Sequence, residues 1–125
     1  MNKTKPISRP DFGSDELSII QEPLKSGWVV QGKFVSEFES LFADYVDSPK
    51  ALATSSGTAA LHIAVLATDV GPGDEVIVPA YTWVATANVI ELTGAKPFFC
   101  DIDLATFNID SHLVAQAINR HTVGI

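Results

Sequence analysis

Apolar and polar positions recur along this chain with two periods, one near 3.6 residues and one near 2. Leu17, Ile20 and Leu24 fall on one helical face behind the acidic opening Ser14-Asp15-Glu16, which predicts a helix capped by Ser14 and running to about Ser26. Pro23 lies inside it, and its missing donor is expected to kink or shorten the last turn. Residues 1–13 read as an extended arm, since Pro6 and Pro10 exclude helix and leave Ile7 and Phe12 as apolar anchors. A second helix is predicted from about Lys33 to Val46, where Phe34, Phe38, Leu41, Phe42 and Tyr45 form one stripe that core packing explains. Ser26 to Lys33, SGWVVQGK, is a loop bounded by Gly27 and Gly32 that either buries or presents Trp28.

From Ala51 the pattern changes. Ala51-Leu52-Ala53 reads as a strand and Thr54 to Thr58 as a tight turn. A helix apolar all round follows from Ala59 to about Thr68, as expected of an element buried between layers. Val70 to Asp74 is a turn, Glu75 to Val78 a short strand ending at Pro79, and 83–93 a helix stopped by Gly94. Lys96 to Cys100 is another strand, closed by Asp101-Ile102-Asp103. A last helix runs from Asp110 to about Arg120 with Leu113, Val114, Ala117 and Ile118 inward, and Thr122 to Ile125 begins a strand. Strands alternating with helices predict an α/β fold with a mostly parallel sheet flanked by helices, whose ligands bind at the carboxyl ends of strands.

The stretch ALATSSGTAALHIAV, Ala51 to Val65, organises this reading chemically. The first amides of a helix have no partners inside it and sit at the positive end of its dipole, so phosphates and carboxylates settle there. Gly57 permits close approach of a ligand, and the hydroxyls of Ser55, Ser56 and Thr58 can cap the helix or bond an anion. Taken alone, the stretch reads as a plain cap, and it is neither GxxxxGK[ST] nor GxGxxG.

A chain of 125 residues with 46% hydrophobic content has the size and composition of one globular domain. Lys+Arg number 8 against Asp+Glu 15, a net charge of −7 with the basic residues scattered singly, which argues against nucleic acid and anionic membranes as partners. No apolar run reaches the roughly 20 residues of a spanning helix, and the N-terminus lacks the apolar core of an export signal. The lone Cys100, in the run FFC, reads as a small buried hydrophobe and fits a reducing, cytoplasmic setting. His62 reads as structural, and His112 and His121 as solvated. Asp101 and Asp103 would share a face only if the strand continued, so turn capping is their reading.

TSSGTAALHIAV, GPGDEVIVPAYTWVATAN, GAKPFFCDID and TFNID occur in this fixed order after SGWVVQG. Together they resemble the DegT/DnrJ/EryC1/StrS family of pyridoxal-phosphate-dependent sugar aminotransferases over essentially the whole chain. The resemblance implies that residues 1–125 form the N-terminal, incomplete portion of the large domain of a fold-type-I aminotransferase. It implies that Ser56, Gly57 and Thr58 hold the phosphate of pyridoxal 5′-phosphate and that Trp83 stacks on its pyridine ring, where a core aromatic is the alternative. It further implies that Gly27, Trp28, Val29 and Val30 lie near the substrate sugar. The implied substrate is a nucleotide-linked keto sugar, the implied amino donor glutamate, and the full-length parent a homodimer.

Transamination also needs a lysine that bonds the cofactor and an acid that pairs with its pyridinium nitrogen. Lys3, Lys5, Lys25, Lys33, Lys50 and Lys96 lie in no stretch resembling the family's cofactor lysine. The expectation is that both groups lie beyond Ile125, that these residues carry half a cofactor site without activity, and that sheet edges and helix faces are left uncovered. A sugar dehydratase of the same family, with histidine for the lysine, is an alternative. A non-catalytic remnant and a free-standing phosphate-binding module are the others.

Overall fold

The computed structural model describes residues 8–125, which divide into two units, one ending at Ala53 and one running from Thr54 to Ile125. Ile7, expected as an anchor, lies outside the described residues. Phe12 is exposed and anchors nothing.

The first unit contains α1 (Ser14–Ser26) and α2 (Lys33–Tyr45). Gly13, not Ser14, is the N-cap of α1: its amide donates to Glu16 Oε2 at 2.7 Å, which closes the first turn from the carboxylate side. α1 continues through Pro23 to Ser26, because a proline so near the end removes a single backbone bond; Gly27, at φ +72°, then ends it. The apolar stripe of α2 does not form a core. Phe38, Leu41, Phe42 and Tyr45 are exposed, Phe34 is half-buried, and the one buried residue of the helix is Ala43, since a pair of helices offers too little cover for a stripe this wide. Ala51–Ala53 is not a strand: no neighbouring strand pairs with it, and the Ala53 amide donates instead to Glu39 Oε1 at 2.8 Å.

In the second unit the elements are α3 (Gly57–Leu66), β1 (Glu75–Pro79), α4 (Ala85–Glu91), β2 (Lys96–Cys100), α5 (Ser111–Ala117) and β3 (Thr122–Gly124). The strands form a parallel sheet in the order β2-β1-β3. Alternation along β1 sends its side chains to two faces. Val78 packs with Val89 and Ile90 of α4 and with Ala95; Ile77 packs with Cys100 and with Val114 of α5. Cys100 is thus the buried hydrophobe its surroundings predicted.

Three helices differ from the sequence pattern, α3 in burial and α4 and α5 in extent. α3 contains no buried residue, for Leu61, Ile63 and Leu66 are exposed where a helix between layers would be covered. α4 is shorter than 83–93, with Leu92 to Gly94 forming the closing turn. α5 stops at Ala117, short of Arg120, and leaves Leu113 and Ile118 exposed. Asn119 ends it by donating from Nδ2 to Glu75 Oε2 (2.8 Å) and accepting the His121 amide at Oδ1 (2.8 Å), a turn the helix cannot share.

Candidate functional site

α3 enters β1 through the turn Val70–Asp74, and α4 leaves β1 through residues 80–84, so both helices run against the strand and lie side by side. The C-terminal part of α3 accordingly lines a groove with Val76 and with Val123 to Ile125. The N-termini of both helices therefore face the carboxyl edge of the sheet.

At that edge Ser56 caps α3, its Oγ accepting the Ala59 amide at 3.2 Å, while the Thr54 hydroxyl donates to the Ser56 carbonyl at 3.0 Å. Ala60 completes the first intrahelical bond, to the Ser56 carbonyl. The amides of Gly57 and Thr58 are left without partners among the described residues, at the positive end of the helix dipole. A Cβ built on Gly57 would meet nothing within 4 Å, and its φ is ordinary. Neither conformation nor packing within the chain requires glycine there.

Trp83 lies in the connection that follows β1, four residues past Pro79. Its carbonyl accepts the Thr86 amide at the start of α4, and its side chain is 77% exposed, so it is no core aromatic in this chain. The neighbouring connection, after β2, is braced by Asp103. Thr106 N–H and hydroxyl and Ala105 N–H all donate to Asp103 Oδ1, and these bonds, the Thr106 amide foremost, hold its carboxyl below the usual aspartate range. Asp103 thus caps a turn as expected, whereas Asp101 Oδ1 accepts only the amide of adjacent Ile102, which lies in a bridge with Ile109, and caps no turn. Sequence reasoning passed over Tyr81 and Phe107, whose rings meet at this edge with centroids 5.9 Å apart; their places in AYTW and TFNID were the available signal.

In the first unit, the loop from Gly27 to Val30 is closed upon itself. Trp28 Nε1 donates to the Gln31 carbonyl at 2.7 Å, and Gly32 gives the indole room, since a Cβ there would come within 2.7 Å of Nε1. Val29 and Val30 are exposed beside it.

Lysines are placed elsewhere. Lys96, the sole lysine of the second unit, opens β2 at the amino edge and pairs with Glu75 at 2.8 Å; Lys33 pairs with Glu22. Among the described residues no group of His, Cys, Asp and Glu is arranged to hold a metal, and no helix is long and apolar enough to cross a membrane.

The family model of the DegT/DnrJ/EryC1/StrS aminotransferases matches residues 10–125. Among solved structures, Spr1654 from Streptococcus pneumoniae, described as a sugar aminotransferase, is 41% identical with a TM-score of 0.87 in both its PMP-form and its PLP-form. An aminotransferase from Psychrobacter cryohalolentis is 37% identical (TM-score 0.82), and the E. coli GDP-4-keto-6-deoxy-D-mannose-3-dehydratase with bound hydrated PLP is 31% identical (TM-score 0.84). These matches cover 94% of this chain but only 30%, 30% and 32% of the three relatives.

Proposed function

Because the chain belongs to the DegT/DnrJ/EryC1/StrS aminotransferase family, we propose that its second unit supplies the phosphate-binding and ring-stacking half of a pyridoxal 5′-phosphate site. The enzyme so formed moves an amino group from glutamate to a nucleotide-linked keto sugar, as a cytoplasmic homodimer. Gly57 carries the reading: a glycine that neither backbone nor packing requires supplies one of the two helix N-terminal amides, its own and that of Thr58, left unpartnered among the described residues.

In this reading the amides of Gly57 and Thr58 donate to the phosphate, with the hydroxyls of Ser55 and Thr58 as further donors and Ser56 holding the turn in place. Trp83 offers an exposed face to the cofactor ring and fixes its tilt without using a hydrogen bond. When bound, the cofactor supplies the electron sink for bond breaking at the amino-bearing carbon. In this reading the second unit does not supply the covalent anchor and proton carrier, since its one lysine, Lys96, pairs with Glu75 at the amino edge of the sheet. Gly27, Trp28, Val29 and Val30, in the first unit, are the residues proposed to contact the substrate sugar, with Val29 and Val30 exposed and Trp28 fixing their loop.

The test is Gly57→Ala, read by pyridoxal 5′-phosphate titration and by urea unfolding. A plain cap predicts unchanged affinity. A phosphate seat predicts that affinity falls by about an order of magnitude while stability holds or rises by about 0.4–1 kcal/mol, because Ala there meets no atom of the chain. The similarity to the E. coli dehydratase supports a second reading, a sugar dehydratase using the same half-site.

A further inference from the structure

Among the described residues, three non-glycine residues have positive φ: Asp47, Asp69 and Phe107. Aspartate tolerates this region through its short polar side chain, whereas a bulky aromatic in it is an outlier that the surroundings must hold. Phe107, at φ +59°, is held by the turn on Asp103. Its amide donates to the Asp103 carbonyl at 2.8 Å, and the Asp103 amide donates to the Asn108 carbonyl at 2.9 Å.

The outcome of this conformation is a contact. The Phe107 ring lies against Tyr81, tilted by 47°. Both rings remain more than half exposed, 59% and 69%, so the pair adds little to the core. β1 and β2 are parallel, and their two connections therefore leave the sheet at one edge, tied at the base by the Ala80 amide donating to the Cys100 carbonyl at 2.7 Å. Tyr81 is two residues from Trp83 in the first of these connections.

We propose that Phe107 is a positioning residue: held in the left-handed conformation by the Asp103 turn, it braces Tyr81 and so fixes the connection that presents Trp83. The consequence for cofactor binding rests on the stacking role given to Trp83 above. Phe107 acts through Tyr81 and not by touching the cofactor.

Trp28→Phe leaves Trp83 as the sole tryptophan of the chain, so its emission and anisotropy report this connection. In that background Phe107→Gly keeps the backbone conformation accessible and removes the ring. The expected result is lower Trp83 anisotropy and a roughly 2- to 10-fold weaker affinity for pyridoxal 5′-phosphate, the range that loss of one stacking contact gives. Affinity for inorganic phosphate should not change, and Phe107→Tyr should restore both properties. Tyr81→Leu, which leaves the Asp103 turn intact, should reproduce the loss. Unchanged anisotropy in both Phe107→Gly and Tyr81→Leu overturns the proposal, as does an equal loss of inorganic phosphate binding. If anisotropy falls but the unsubstituted chain binds no pyridoxal 5′-phosphate, the stacking role fails while the bracing of the connection stands.

Discussion

Ser56 and Trp83 lie at the same sheet edge and should respond to mutation in opposite ways. Ser56→Ala removes the oxygen that accepts the Ala59 amide, and it is expected to lower unfolding stability by about 1 kcal/mol in a urea titration. Trp83→Ala removes a mostly exposed ring, so stability should move by no more than about 0.5 kcal/mol. Its affinity for pyridoxal 5′-phosphate should fall while its affinity for inorganic phosphate stays, a split that equilibrium dialysis with both compounds would resolve. The cap was legible in the sequence because serine before an apolar helix has a local cause. The exposure of Trp83 was not, since an aromatic at a helix start serves equally well in a core. Trp28 shows the same limit: glycines at 27 and 32 marked a loop, but only the coordinates show the indole over Gly32.

At the scale of elements, β1 is the centre to which both flanking layers attach. Ile77 is 1% exposed and bridges Cys100 and Val114, so Ile77→Ala should cost about 2–5 kcal/mol, measurable as a lower midpoint in denaturant. Glu75 ties the amino edge of the sheet, accepting from Lys96 on β2 and from Asn119 ahead of β3. Lys96 first, then Asn119, holds its carboxyl below the ordinary glutamate value. A depressed folded-state pKa adds stability that is present above the unfolded value, about 4.3, and is lost as pH falls through the folded one. Glu75→Gln should therefore narrow the stability gap between pH 7 and pH 3, as followed by thermal melts across that range. Strands β1 and β2 were readable because a β-branched or aromatic run between turn signals has few other uses. The expected strand at 51–53 failed because a strand needs a partner, which three apolar letters cannot reveal. The end of α5 was hidden for a similar reason, as Asn119 stops the helix by reaching a residue 44 positions away.

For the molecule as a whole, α/β class and family followed from the order of motifs, whereas burial did not, because an apolar pattern states what a side chain could cover and not whether a cover exists. Each unit keeps large apolar residues open, Leu17, Leu41 and Tyr45 in the first and Ile63, Leu104 and Phe99 in the second. Such surface is expected to bind a hydrophobic dye strongly and to drive concentration-dependent association, which sedimentation velocity from low to high micromolar would detect. A dye response as low as that of a well-covered globular protein, with a single monomeric boundary, would contradict the exposure described. The ion pair of Lys96 also bears on how reductive labelling should be interpreted. If the chain is incubated with pyridoxal 5′-phosphate and borohydride and then digested, pyridoxyl-modified peptides will come from surface amines, with Lys96 the only side-chain candidate in the second unit. A tag there would mark ordinary aldehyde chemistry at the wrong edge of the sheet, and should not be taken to identify a catalytic lysine.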